Sequence, residues 1–216
     1  MQESLYLLGE RSAVLQQPAP ATLACQRRIW WVAERLREAG HTDVVPGMNN
    51  LTLIFDPDRL DACEVLAQLK RLWRAAGRAI PTPRQVVIPV CYGGESGPDL
   101  GQVARYTGLN EAQVVATHSR TDYTVFFLGF QPGFAYLGGL PATLATPRLT
   151  MPRLCVPAGS IGIGGEQTGI YPAASPGGWQ LIGRTEVSLF DPEQASPSLL
   201  LPGDTVRFAP TGGPYA

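Results

Sequence analysis

The chain has 216 residues, which suits one large domain or two modest ones, and 44% of them are hydrophobic, enough for a sizeable core. A formal net charge of −1 gives no basic excess, so general affinity for nucleic acid or anionic membranes is not expected. The N-terminus pairs Glu3 with a short apolar run broken by Gly9, Glu10 and Arg11, which is unlike a secretory signal. We therefore expect a cytoplasmic protein.

The four cysteines are widely spread and include no CxxC pair: Cys25, Cys63, Cys91 and Cys155. This pattern favours buried, reduced thiols over disulfides or a zinc site. No His/Cys cluster has the spacing of metal ligands, so no metal site is predicted.

The first 92 residues alternate strand and helix patterns. Apolar residues at helical spacing predict amphipathic helices over residues 22–39 and 60–76, each followed by a glycine. Four runs read as strands: residues 12–16, 42–46, 51–55 and 85–90. The link "GMNN" between the two middle strands is typical of a turn. The resulting order β-α-β-β-α-β predicts a ferredoxin-like domain over residues 1–92.

The remaining residues, 93–216, predict a second domain. Residues 97–119 read as two short helices, with Asp99/Gln102 and Asn110/Gln113 as capping pairs. Short strands separated by Gly and Pro then follow, which is typical of a closed or nearly closed β-barrel. The predicted strands lie within residues 123–130, 155–165, 178–185, 187–191 and 204–210.

The stretch "GFQPGFAYLGGLP" (129–141) holds four glycines and two prolines, with Phe130, Phe134 and Tyr136 between them. Such a sequence is not expected to form an ordinary helix or strand. Its aromatic rings, stiff prolines and permissive glycines instead predict the floor of a pocket or a ridge that faces a partner.

Two arginines are candidates for anion recognition. Only Arg148, Arg153 and Glu166 carry charge between Gly129 and Gly183, and each arginine directly follows a proline that restricts the backbone. A guanidinium binds carboxylate or phosphate through a planar fork of donors. The alternative is that both are surface arginines that cap loops. Arg184 is a third possible anion contact, although exposed arginines are common near a strand end.

The run "PAGSIGIGGEQTGIYP" (157–172) invites a phosphate-loop interpretation but lacks both the Walker A and the dinucleotide-binding patterns. Small residues here allow the backbone to approach a ligand closely, and polar side chains are available at Ser160, Gln167, Thr168 and Tyr171. The alternative is a tight corner of the barrel. Trp179, further on, is expected in the core rather than as a lid.

His118 follows the second capped helix and precedes the strand pattern at residue 123. A helix C-terminus favours the cation, and the ordinary pKa of histidine suits general acid–base catalysis. The alternative is a structural histidine. The chain contains no G-x-S-x-G elbow for a serine nucleophile.

Several long motifs in register resemble those of the kinase A inhibitor (KipI) family, also called the allophanate hydrolase subunit 1-like family. The resemblance covers essentially the whole chain, and within the family the motifs are most similar to those of bacterial 5-oxoprolinase B subunits. The motifs are "PVCYGGESGPDL", "VVATHS", "GFQPGFAYLGGLP", "TPRLTMPR", "VPAGSIGIGGEQTGIYP", "SPGGWQLIGRT" and "PGDTVRF".

The resemblance implies an α+β chain with an N-terminal ferredoxin-like domain and a C-terminal cyclophilin-like barrel of carboxyltransferase type. It implies ATP-dependent opening of 5-oxoproline to L-glutamate, carried out with 5-oxoprolinase subunits A and C. ATP would then be a co-substrate, bound by this chain or shared with the partner subunits, and the isolated chain is expected to be inactive.

Within that activity, Arg148 and Arg153 are expected to bind a carboxylate or phosphate, with Thr168, Tyr171 and Arg184 as further binding candidates. Gln167 and Ser160 would orient the lactam, and His118 would transfer a proton.

Two other functions remain open at this point. The family includes an inhibitor of a sensor histidine kinase, so a regulatory binding protein is the alternative, and the pair Trp30/Trp31 is compatible with partner binding. Prolyl isomerisation rests on the cyclophilin-like barrel alone.

Overall fold

The computed structural model describes residues 3–77, 84–212 and 215. Contacts between residues divide the chain into two compact units, Met1–Thr82 and Pro83–Ala216. Within the described ranges, no helix is both long enough and apolar enough to cross a membrane.

The N-terminal unit is a four-stranded antiparallel sheet with two helices packed on one face. Its strands lie in the order β1-β2-β4-β3, and the core between sheet and helices contains Leu15, Leu51, Leu53, Ile29 and Leu69. The elements are β1 (Ser4–Leu7), β2 (Ser12–Gln16), α1 (Leu23–Glu38), β3 (Val44–Gly47), β4 (Asn50–Ile54) and α2 (Ala62–Ala75).

Local chemistry sets the bounds of these helices and of the turn between β3 and β4. The Thr22 hydroxyl accepts from the N–H of Cys25 at the start of α1, and the Asp61 carboxylate accepts from two N–H groups at the start of α2. Asn49 takes a φ of 56° in the turn, a conformation that asparagine tolerates well. Both predicted helices and the predicted turn are confirmed.

The ferredoxin-like arrangement is not confirmed. Its predicted last strand, residues 85–90, lies in β5 (Gln85–Tyr92) and pairs inside the barrel with the last strand of the chain. The fourth strand of the N-terminal sheet is β1, which was not predicted because Ser4–Leu7 is short and mostly exposed. The predicted domain boundary between residues 92 and 93 stays a prediction. The two compact units divide the chain earlier, between Thr82 and Pro83, before β5 begins.

The C-terminal unit is built on a closed barrel of seven strands, as predicted. The strands run in the order β10-β7-β6-β13-β5-β12-β9, and β5 pairs with β13 in parallel. The barrel strands besides β5 are β6 (Tyr123–Leu128), β7 (Ala135–Gly138), β9 (Ser160–Gly164), β10 (Gln167–Ile170), β12 (Gln180–Arg184) and β13 (Thr205–Pro210). A separate antiparallel pair consists of β8 (Arg153–Val156) and β11 (Ser175–Gly177).

Two helices precede the second strand of the barrel, α3 (Leu100–Thr107) and α4 (Glu111–Arg120), and a short 3₁₀ turn spans Ala142–Leu144. The predicted capping pair Asn110/Gln113 is confirmed as a reciprocal capping box at the start of α4. The helices and the inward side chains of the strands form the barrel core, which includes Val103, Val115, Leu137, Ile161 and Ile163.

Three predictions made from the sequence need correction. The segment 129–141 does contain a strand, β7, because Ala135–Gly138 pairs on both sides with β6 and β10. Residues 187–191 form no strand, only an isolated bridge between Phe190 and Ser198. All four cysteines are free, but none is fully buried as predicted: Cys25 and Cys91 are partly buried, and Cys63 and Cys155 are exposed.

Candidate functional site

An aromatic cluster covers the face of β7, β9 and β10 that points away from the barrel core. Along β9, Ile161 and Ile163 point into the core, whereas the intervening Gly162 and Gly164 lie against Trp179. We use "aromatic cluster" for five residues: Phe130, Phe134, Tyr136, Tyr171 and Trp179. Their rings meet mostly edge to face, with centroids 4.9–6.4 Å apart.

Glycines make room for Trp179, which is 5% exposed as its predicted core position requires. A Cβ atom added to Gly164 would lie 2.4 Å from the indole nitrogen, and one added to Gly162 would lie 2.9 Å from the Trp179 Cβ. Any larger side chain at either position would displace the indole. The small residues of the "GSIGIGG" run therefore approach a tryptophan ring of this chain.

Arg148 lies at the edge of this cluster. Its guanidinium carbon is 5.8 Å from the centroid of the Trp179 ring, within the range of a cation–π contact, and the side chain is otherwise exposed. Burial raises the pKa of Tyr171, while the charges of Arg148 and Arg153 act in the opposite direction. Both arginines are therefore close enough to Tyr171 for their positive charges to favour its ionised form.

Arg153 is held by an acidic residue for which the sequence predicted another role. Its Nη2 donates to Asp99 Oδ1 at 2.6 Å, and Asp99 Oδ2 accepts from the backbone N–H of Leu181 at 2.6 Å. Asp99 makes no side-chain cap bond at the start of α3, so the predicted capping pair Asp99/Gln102 is wrong. The carboxylate is committed to Arg153 and Leu181 instead.

Two donors near the cluster are buried without an acceptor in the described part of the chain: Arg153 Nη1 and Gln167 Nε2. Gln167 lies at the start of β10, opposite Gly164, whose outer side faces Trp179. The Ser175 hydroxyl, on the strand that pairs with the Arg153 strand, is similarly unpaired. Gln180, next to Trp179, has a buried Oε1 that also lacks a partner in the same described part. Buried polar groups are normally hydrogen-bonded, so these atoms mark where a polar ligand would find partners.

His118 lies in the barrel core and is 0% exposed. The Thr168 hydroxyl donates to the carbonyl of Gly162 at 2.9 Å, so its oxygen accepts from His118 Nε2 at 3.0 Å. His118 Nδ1 then accepts from the Tyr92 hydroxyl at 2.7 Å, and the ring stacks on Phe208. This is the geometry of a neutral structural histidine, and it turns Thr168 towards the core as well.

The burial of His118 predicts a dependence of stability on pH. Desolvation lowers its pKa to about 3, against about 6.5 in the unfolded chain, so the unfolded state binds the extra proton between these values. The stabilisation is complete above pH 6.5 and is lost as the pH falls towards 3. Between pH 7.5 and 5, we expect the free energy of unfolding to fall by about 2 kcal/mol more in the native chain than in His118→Gln. Urea titrations at both pH values measure this difference, and parallel declines would contradict it.

Two predicted site residues lie at the end of β9 opposite Gly164. Ser160 begins the strand and pairs in register with Arg184, and its carbonyl accepts from the N–H of Tyr171 at 2.9 Å. Arg184 is exposed, and its Nε donates to the carbonyl of Ala158 at 3.0 Å. The structure thus brings Arg148 and Arg153 close enough for their charges to act on Tyr171, and it places Gln167 on the same outer face as Trp179.

Sequence reasoning missed the roles of two further residues, one in the aromatic cluster and one bonded to Arg153. Tyr136 was noted only as an aromatic of its segment, and Asp99 was taken for a helix cap. No sequence signal separates Asp99 from a cap, because Gly-Pro-Asp before a helix is typical of that role.

A family model described as "Carboxyltransferase domain, subdomain C and D" matches residues 4–200 of this chain. The 5-oxoprolinase B subunit of Escherichia coli O157:H7 is 55% identical over 95% of this chain and 94% of its own length. The crystallised protein TTHA0988 is 39% identical with a TM-score of 0.81 over 95% of this chain, which spans only 41% of that protein.

Urea carboxylase of Kluyveromyces lactis has the same fold, with a TM-score of 0.79 at 19% identity over 97% of this chain and 22% of its own. These matches confirm the resemblance that the sequence motifs indicated. The chain therefore belongs to the family of the carboxyltransferase domain, subdomains C and D, and is related to the 5-oxoprolinase B subunits.

Proposed function

We propose that this chain is a component of an ATP-dependent 5-oxoprolinase, a hydrolase that opens 5-oxo-L-proline to L-glutamate together with subunits A and C. Three relatives are named as 5-oxoprolinase B subunits, and they support this proposal over a regulatory role. The structural observation that carries it is the set of unpaired donors beside the aromatic cluster.

The donor set fits a small carboxylate. Arg153 Nη1 and Gln167 Nε2 are donors that lack an acceptor among the residues described, and Arg148 adds a second, exposed positive charge. 5-Oxoproline offers a carboxylate and a lactam carbonyl, which are all acceptors, on a compact ring. The same donors suit a phosphate, so this surface is also suited to the phosphoryl group of ATP.

In the proposed reaction, ATP transfers its terminal phosphoryl group to the lactam oxygen and leaves as ADP, and water then adds to the activated ring carbon. The C–N bond breaks to give the phosphorylated side-chain carboxyl group, and a second water cleaves this acyl phosphate to glutamate and phosphate. Two water molecules are consumed overall, giving glutamate, ADP and phosphate. Arg148 and Arg153 hold the carboxylate or the phosphoryl oxygens, and Gln167 donates to the lactam oxygen. Tyr171 and Trp179 form an apolar wall that keeps the ring in place. His118 has a structural role in this scheme, because its ring is buried away from solvent.

A second polypeptide completes the site in this proposal. Large apolar side chains lie exposed next to the site residues: Phe130 at 59%, Met151 at 83% and Leu154 at 92%. Met151 lies between the two arginines in sequence, and Leu154 directly follows Arg153. Such exposed apolar residues are typical of surfaces that a partner covers. We accordingly expect the isolated chain to be inactive, with ATP bound by this chain or shared with partner subunits in the cytoplasm.

Reconstitution tests the proposal directly. Mixing this chain with subunits A and C from the same organism is expected to give ATP-dependent release of glutamate from 5-oxoproline, and leaving the chain out is expected to abolish it. Glutamate and ADP are measured in the same samples, with boiled chain as the control. Undiminished turnover without this chain would contradict the proposal.

The regulatory alternative predicts a different result. Inhibition of a sensor histidine kinase, without any ATP-coupled glutamate release in the reconstituted mixture, would favour it. The tryptophan pair that made this alternative attractive is mostly covered, because Trp30 is 9% exposed and Trp31 packs against the core of the N-terminal unit.

A further inference from the structure

Asp99 connects the start of α3 to β12 by two hydrogen bonds to one residue. Its backbone N–H donates to the carbonyl of Leu181 at 2.8 Å, and its Oδ2 accepts from the N–H of Leu181 at 2.6 Å. Both the backbone and the carboxylate are therefore fixed to the barrel wall beside Trp179. The other carboxylate oxygen, Oδ1, accepts from Arg153 Nη2 at 2.6 Å.

This arrangement orients Arg153 without using up its donors. Only Nη2 is bonded to Asp99, and Nη1 has no acceptor within residues 84–212 as described. A guanidinium is planar, so holding Nη2 against a rigid carboxylate also restricts the directions that Nη1 can take. Asp99 is 6% exposed, and its charge is therefore little screened by solvent.

A second ion pair of the same unit shows what a purely structural pair looks like. Asp204, also 6% exposed, accepts from the N–H of Leu201 at 2.8 Å and from Arg84 Nη2 at 2.6 Å. Arg84 in addition donates from Nε to Asp204 Oδ1, and from Nη2 to the carbonyl of Leu199. Arg84 therefore uses Nε and Nη2 within the fold and its side chain is 52% exposed, whereas Arg153 Nη1 is buried without an acceptor among the residues described.

We infer that Asp99 is a positioning residue for the proposed reaction: it holds Arg153 so that Nη1 meets the carboxylate or phosphoryl oxygen of the substrate. The inference rests on the proposed function. Asp99 does not touch the substrate, and its effect passes through the orientation and the charge of Arg153.

The test uses the reconstituted enzyme with Asp99→Asn. Asparagine keeps the shape and an oxygen acceptor but removes the negative charge that holds the guanidinium. We expect the KM for 5-oxoproline to rise about tenfold or more, with a smaller change in kcat. Asp204→Asn is the matched control, because it makes the same chemical change in a buried carboxylate bonded to an arginine and a backbone N–H. We expect it to lower the Tm and to leave the KM within about twofold.

Arg153→Ala, measured alongside, distinguishes failure of the positioning role of Asp99 from failure of the proposed function. If Arg153→Ala raises the KM and Asp99→Asn does not, the positioning role is wrong while the proposed function stands. An equal rise in Asp204→Asn would show a general loss of structure and would also overturn the inference. If Arg153→Ala retains full activity, the proposed site itself fails. Should Asp99→Asn not assemble, Asp99→Glu keeps the charge but shifts it by one methylene, and a KM equal to that of the native enzyme would then contradict the inference.

Discussion

Arg153→Ala is expected to lower kcat/KM for 5-oxoproline at least about 100-fold in the reconstituted enzyme. Removing the arginine of a desolvated charge pair between a protein and its bound partner, here the anion of the substrate, typically costs about 2–5 kcal/mol of binding energy, and each 1.4 kcal/mol is a factor of ten. Here the substitution also deletes Nη1, the donor that lacks an acceptor among the described residues. Steady-state kinetics with varied 5-oxoproline at saturating ATP measures the loss.

The alanine variant leaves Asp99 without its cation, so a drop in stability alone has to be separated from a loss of binding. Arg153→Lys serves this purpose, because an ammonium group is able to pair with Asp99 but lacks the second planar donor. We expect it to keep a Tm close to that of the native chain and still to lose at least about tenfold in kcat/KM. Full activity of the lysine variant would show that charge alone matters at this position.

Trp179→Ala is expected to produce the largest loss of stability, about 3–5 kcal/mol, because removing a buried tryptophan leaves a cavity that its neighbours do not fill. Trp179 touches Phe134, Tyr136 and Tyr171 and lies over glycines that have no side chain to move into the space. Chemical denaturation followed by far-UV circular dichroism measures the effect.

Two further variants test whether the loss of stability in Trp179→Ala comes from the packing of the indole on the glycines. Gly164→Val keeps the indole but places side-chain atoms where the ring lies, since even a Cβ would be 2.4 Å from its nitrogen, so it should also destabilise the barrel. Trp31→Ala removes a half-buried tryptophan from α1 of the other unit and is expected to cost less. If Trp31→Ala lowers the free energy of unfolding as much as Trp179→Ala, then the packing of Trp179 against Gly162 and Gly164 adds no special stability.

The elements that could be predicted from the sequence are those with strong local signals. The helices of the N-terminal unit have clear apolar periodicity and capping residues, and Thr22 and Asp61 cap them as observed. The barrel was predicted from its short strands and turn residues. The motif arginines were predicted as a pair, and the structure brings both to the aromatic cluster.

The remaining features depend on pairings that are distant in sequence. Nothing local distinguishes Gln85–Tyr92 as a barrel strand, because its partner Thr205–Pro210 lies at the other end of the unit. Asp99 has the sequence context of a helix cap, and only the fold brings Arg153 and Leu181 close enough to use its oxygens. His118 has the chemistry of a catalyst, but burial among Tyr92, Tyr123 and Phe208 decides otherwise.

The parallel pairing of β5 with β13 constrains how the protein is made. β13 lies between β5 and β6 in the barrel. Until Thr205–Pro210 has been synthesised, β5 and β6 of a nascent chain therefore have unpaired edges. Contacts of such long sequence separation form late and slowly. The N-terminal sheet joins strands from within its own unit and is able to fold while the ribosome is still translating the rest. If synthesis stalls between β12 and β13, the barrel therefore stays incomplete, with the edges of β5 and β6 exposed and prone to aggregation unless chaperones bind them.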